Sequence, residues 1–140
     1  MLPARQPRIL DGEGKPATAY QHIKRVHYRD DQPFCLIDIY LAADIYLRAP
    51  DQFRTNIVVP MLAAMPDIAI GKVHQTLTVD GAGQEAAERL DLPLGAPVAN
   101  VRRTIGDRAG TCIYVAEITY RGDVVSLEID LSPTSVGDMG

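Results

Sequence analysis

The chain has 140 residues, a formal net charge of −4, 46% hydrophobic and 23% charged residues. That is an average globular composition of single-domain length, which excludes a disordered chain, and two cysteines exclude a disulfide scaffold. No run of about 18 apolar residues is present to span a membrane, and no apolar core follows the N-terminus as in a secretory signal, so the expected address is cytoplasmic.

Residues 1–18 hold Pro3, Pro7, Gly12, Gly14 and Pro16 with no apolar period, and read as a linker or tail. A chain opening on a linker suggests a partner domain upstream. Residues 1–30 carry six basic and three acidic groups, whereas the body is acidic and the pI is about 5.2. Such a domain lacks the clustered Lys and Arg needed to hold DNA through phosphates.

Residues 20–29 and 34–42 read as strands joined by the Asp30-Asp31-Gln32-Pro33 turn, a hairpin. Residues 43–49 read as one or two helical turns. Phe53, Ile57, Met61 and Met65 lie at four-residue spacing, but Pro60 interrupts them. The expected solution is a loop through about Val59 and a short helix opening at Pro60.

Residues 68–79 read as a strand whose apolar phase slips at Gly71, where a bulge would restore one inward face. A short helix over 82–90 is expected, with Asp80 as its cap, followed by the Leu92-Pro93-Leu94-Gly95 turn. Strands are expected at 97–105, 111–120 and 124–131. The last alternates cleanly, with Val125, Leu127, Ile129 and Leu131 on one face. Residues 133–140 form a polar tail. The domain itself is placed at 19–132. The fold class is α+β: about six mainly antiparallel strands with two to three short helices.

No phosphate loop, dinucleotide fingerprint or nucleophile elbow is present, and no cofactor is implied. Cys35 and Cys112 lack metal spacing, and His22 and His27 point to opposite faces of one strand, so no metal site is expected. Nothing marks a serine as activated, and no catalytic residue is assigned. Polar residues nevertheless interrupt apolar strands: Arg25 and His27, Asp38, Arg102 and Arg103, and Glu117. Either they face solvent or pair with one another, such as Arg103 with Glu117 or Asp38, or they converge on a ligand pocket walled by the sheet. Tyr40, Tyr114 and Tyr120 would supply edges and hydroxyls to that pocket.

Four stretches, in order, carry a family resemblance. They are Val26 to Pro33 with Asp38 and Tyr40; Ile68-Ala69-Ile70 with Gln75-Thr76-Leu77; Glu85 to Val98 ending in Arg103; and Tyr120-Arg121-Gly122-Asp123. Together they resemble the UTRA domain, the effector-binding half of GntR-type transcriptional regulators, in the branch of the histidine-utilisation repressors. The resemblance implies a chorismate lyase-like fold, a homodimer, and a pocket between sheet and helices for a small metabolite. It also implies operator binding only through an N-terminal winged helix-turn-helix absent from this chain.

On that basis the effector-binding residues are Arg25, His27, Asp38, Asn56, Arg103, Tyr114 and Glu117. Members that hold phosphorylated sugars show Arg-x-Arg on the first strand and a Ser-Leu-Tyr-like entry to the central helix. Here these read Arg25-Val26-His27 and Ile57-Val58-Val59, which favours a less anionic, partly apolar ligand. Two alternatives stand beside the sensor: a chorismate lyase-like enzyme, with Arg25 and Arg103 for the carboxylates and Glu117 as acid/base, and a free-standing binding or dimerisation module.

Overall fold

A computed structural model describes residues 6–125. The first hairpin is β2 (Tyr20–Arg29) and β3 (Gln32–Ala42), preceded by the two-residue strand β1 (Lys15–Pro16). Asp30 and Asp31 make its turn at positive φ, 51° and 63°, a conformation that Asp tolerates better than most side chains. Three short helices follow: α1 (Ala43–Tyr46), α2 (Pro50–Thr55) and α3 (Val58–Ala64). Then come β4 (Ile70–Gly81), α4 (Gln84–Arg89), β5 (Pro97–Asp107), β6 (Thr111–Arg121) and a 3-10 turn, Gly122–Val124.

The strands form one sheet in the order β2-β3-β6-β5-β4, antiparallel throughout, while β1 adds a short parallel pairing to β6. The described sheet thus has six strands. The expected strand at 124–131 lies almost wholly outside the described residues, and β1 supplies the sixth.

Two local expectations need correction. The segment read as a loop before Pro60 contains a full helix, α2, with Pro50 at its first turn. Pro60 does not open α3 but sits at its third position. The first-turn amides of a helix have no intrahelical acceptor, so a missing N–H costs nothing there. Asp80 does not cap α4. Its carboxylate accepts the Gly81 N–H at 2.8 Å, and α4 starts from Gly83 without a side-chain cap. The slip at Gly71 is present as a register shift between Ile70 and Val73. A Cβ at Gly71 would lie 2.8 Å from the Asp107 carbonyl, so only glycine fits this approach.

The register divides the side chains between two faces. One face carries the rows Arg25–Ile37–Ile118–Val101–Leu77 and Ile23–Ile39–Ala116–Arg103–Gln75. Helices α1 to α3 pack here. Phe53, Val58 and Leu62 reach full burial against Ile23, Ile39, Leu41 and Ile118. The opposite face carries Lys24–Asp38–Glu117–Arg102–Thr76. A small second cluster, Tyr20, Tyr40, Cys112 and Val115, lies on that side with Ile9 and Ala17 against it.

The two long hairpins repeat one plan. Each has a register shift near its turn, at His27/Tyr28 and at Ile105/Gly106. Each carries a basic residue facing an acidic one across the ladder, Lys24 with Asp38 and Arg102 with Glu117. Each puts the following arginine, Arg25 or Arg103, on the helix side. A pseudo-twofold axis between β3 and β6 relates the halves, passing between Asp38 and Glu117, which face each other.

Candidate functional site

Side chains alternate along a strand, so the register decides which candidates can meet. Arg25, His27, Arg103 and Tyr114 share the helix side of the sheet. Asp38 and Glu117 stand on the other face and do not join them. Six of the seven candidates thus divide between the two faces of the sheet, and Asn56 lies between α2 and α3.

On the helix side, Arg25 reaches over the core edge to the α2–α3 junction. Its Nη1 donates to the Asn56 carbonyl at 2.9 Å and its Nη2 to the Phe53 carbonyl. A cation at a helix C-terminus satisfies orphan carbonyls and meets the negative end of the dipole. Asn56 thus enters through its backbone, and its own side chain is exposed. Arg103 donates Nε to Gln75 Oε1 at 2.9 Å. It faces Ala116 across the ladder.

Tyr114 is 3% exposed. Burial pushes its phenol above the usual range, and the nearby guanidiniums of Arg103 and Arg25 oppose that shift. Tyr120, which was expected near this pocket, lies on the same face, its phenol raised by burial and again opposed by Arg103. Burial lowers Arg25, and Tyr114 counters it. The two arginines and two tyrosines thus share one face of the sheet. His27 sits at its edge, its ring 6.3 Å from that of Phe34. The arrangement offers cationic and hydroxyl donors above an apolar floor, the chemistry of a small organic anion's site.

The opposite face is occupied differently. His22 Nε2 lies 2.6 Å from Asp38 Oδ1, and Lys24 Nζ lies 3.4 Å from the same oxygen. Tyr40 stacks on His22 at 4.8 Å instead of lining the helix-side site. Glu117 accepts from Arg102 Nη1 at 2.7 Å. The expected pairing of Arg103 with Glu117 or Asp38 is thereby replaced: Arg102, one residue earlier, has the parity to reach Glu117.

Arg102 makes a further contact that the sequence did not reveal. Its Nε and Nη2 donate to the two oxygens of Glu13 at 2.9 and 2.8 Å, and Nη2 also donates to the Arg8 carbonyl. Residues 8–18, read as linker, lie against the sheet. Lys15 N–H donates to the Gly110 carbonyl at 2.8 Å, and Tyr20 Oη joins Ala17 N–H to the Cys112 carbonyl. Glu13 alone gave no signal, because its partner is 89 positions away.

A cleft of about 710 Å³ opens at the α1 end of the sheet, between residues 16–19, α1 and the β5–β6 turn, with Asp44, Arg48, Asp67 and Arg108 at its rim. None of the seven candidates lines it. Among the described residues no three His, Cys, Asp or Glu lie together as metal ligands, and no helix is long and apolar enough to cross a membrane.

The fold is similar to several solved regulators. A GntR-family transcriptional regulator from Enterococcus faecalis V583 superposes with TM-score 0.71 at 20% identity, covering 81% of each chain. The C-terminal domain of the histidine utilization repressor from Pseudomonas syringae pv. tomato gives 0.66 at 18%, covering 81% of this chain and 79% of that one. The possible transcriptional regulator YydK from Bacillus subtilis gives 0.68 at 19%, and there the match covers 81% of this chain but 50% of that one. No curated protein matches the sequence. The UTRA domain family matches residues 13–126, from the leader glutamate held by Arg102 to just past the 3-10 turn, and the chain belongs to that family.

Proposed function

We propose that this chain is the effector-sensing domain of a GntR-type transcriptional regulator, and that its effector binds on the helix side of the sheet. The observation that carries the reading is the placement of Arg25, Arg103, Tyr114 and Tyr120 on that one face in a member of the UTRA family. The ligand class that fits is a small carboxylate with an apolar or heteroaromatic body. Two guanidiniums at one site favour an anion, and the surrounding Ile37, Ile118 and Val101 favour an uncharged remainder. His27 stands at the rim, placed to meet a polar group. A phosphosugar fits less well, since His27 cannot reproduce the bidentate fork of a second first-strand arginine.

The lyase alternative needs a carboxylate acid beside the cationic groups. Glu117, the acid assigned to that role, leaves the sheet on the face opposite to Arg25 and Arg103. Binding without turnover is therefore the favoured reading. As a sensor, the domain pairs as a homodimer and carries its signal to an N-terminal DNA-reading head. Ligand binding would shift the spacing of two such heads through its differential affinity for two arrangements.

The test is a thermal-shift screen of the 140-residue chain against imidazole carboxylates, other small carboxylates, amino sugars, their phosphates and chorismate, with sedimentation at several concentrations. A ligand at about 100 times its Kd adds about 2.7 kcal/mol, several degrees for a domain of this size. The expected result is a carboxylate-selective shift lost in Arg103→Gln and retained in Asp38→Asn. A shift lost in Asp38→Asn and retained in Arg103→Gln would move the site to the other face. Pyruvate release from chorismate would replace the sensor by the enzyme.

A further inference from the structure

Arg102 and Arg103 are consecutive on β5, so they leave the strand on opposite faces. Arg103 belongs to the helix-side site. Arg102 holds the leader: a two-pronged bond to Glu13, whose side chain is only 7% exposed, and a third bond to the Arg8 carbonyl. The fork is the strong, planar form of a charge-assisted pair. It is also the contact that fixes the Glu13 side chain to the sheet. Around it, Leu10 N–H donates to Glu13 Oε1 at 2.7 Å, and Lys72 Nζ on β4 reaches the Gly12 carbonyl at 3.2 Å.

We propose that β5 couples the two faces: whatever engages or displaces Arg103 on the helix side is read by the leader through the Arg102–Glu13 fork. The inference rests on the reading that the helix side is the effector site. The two end states are a leader docked on the sheet and a leader released from it. A docked leader fixes the path of the chain immediately before the domain, whereas a released one leaves it free. The first hairpin offers a control. Arg25 holds the position equivalent to Arg103 and also faces the helix side. Its neighbour Lys24, however, pairs with Asp38 and Glu85, and among the described residues it has no hydrogen-bond or ion-pair partner in the leader.

The experiment is amide hydrogen exchange on the 140-residue chain, read at Leu10, Lys15 and Ala17, whose N–H groups report the docked leader. No effector is needed, so failure of the ligand screen and failure of the coupling are separate results. Arg102→Gln is expected to speed exchange at these amides about tenfold, and Arg103→Gln about threefold or more, with β3 amides unchanged. Arg25→Gln is expected to leave the leader amides as they are. Arg103→Lys answers for Arg103→Gln if the latter does not fold. Coupling is overturned if Arg103 variants leave the leader amides unmoved while Arg102→Gln frees them. It is equally overturned if Arg25→Gln and Arg103→Gln loosen the leader alike, or if the wild-type amides exchange unprotected.

Discussion

Glu13 shows how much one residue can depend on a distant partner. Arg102 holds its carboxyl below the ordinary value of 4.5, chiefly by hydrogen bonding, against a smaller opposing effect of burial, with further help from Leu10 N–H and the charge of His74. A carboxylate with a depressed folded pKa stabilises the native state fully above its unfolded pKa. That contribution fades as pH falls through the lower folded value. The stability gap between wild type and Glu13→Gln, measured by urea unfolding, should therefore be constant at neutral pH and begin to close below about 4.5. A gap that persists unchanged into strong acid would mean that the fork contributes through packing and not through charge. The same residue marks a limit of sequence reading. Arg25, Arg103 and Tyr114 announced themselves as polar groups in apolar strands, whereas Glu13 sat in a stretch rich in Gly and Pro. The parity of Asp38 and Glu117 was legible in principle, since Glu117 is an odd number of residues from Tyr114 on one strand. Their true partners required the register of four strands.

Elements were legible where a local period spoke for itself. The β2–β3 hairpin, the slip at Gly71 and the strands β5 and β6 all follow from alternation and turn residues. The helices were harder because Pro60 sits within their apolar stripe. The structure resolves that conflict by breaking the chain at Asn56 and Ile57 and restarting at Val58, which puts Pro60 in a first turn. This arrangement makes a paired prediction. Pro60→Ala, at a site where the missing N–H is not needed and the side chain is exposed, should change stability by less than about 1 kcal/mol. Leu62→Ala, two residues on and 0% exposed, should cost about 2–5 kcal/mol by removing core contacts and leaving a cavity. Denaturant unfolding of both variants checks it. A large loss from Pro60→Ala would show that the rigid ring, and not the buried stripe, sets where α3 begins.

Across the whole molecule, the pseudo-twofold plan is carried out unevenly. Helices α1 to α3 follow the first hairpin and cover the sheet over β2, β3 and β6. On the same face β4 shows Val73, Leu77 and Val79 at 58%, 53% and 76% exposed. Its outer edge has no strand partner among the described residues. Burial of backbone hydrogen bonds sets local opening free energy, so exchange should be graded across the sheet. The amides of β6 between Cys112 and Ala116, a run of buried residues paired within the sheet, are expected to exchange slowest, near the rate of global unfolding. Amides of β4 that point away from β5 are expected to exchange orders of magnitude faster, because no strand among the described residues pairs with that edge. Should they prove as protected as β6, something must cover that edge in solution. Repeating the measurement at high dilution then separates a cover supplied by the same chain, which would persist, from one supplied by a second copy, which would be lost.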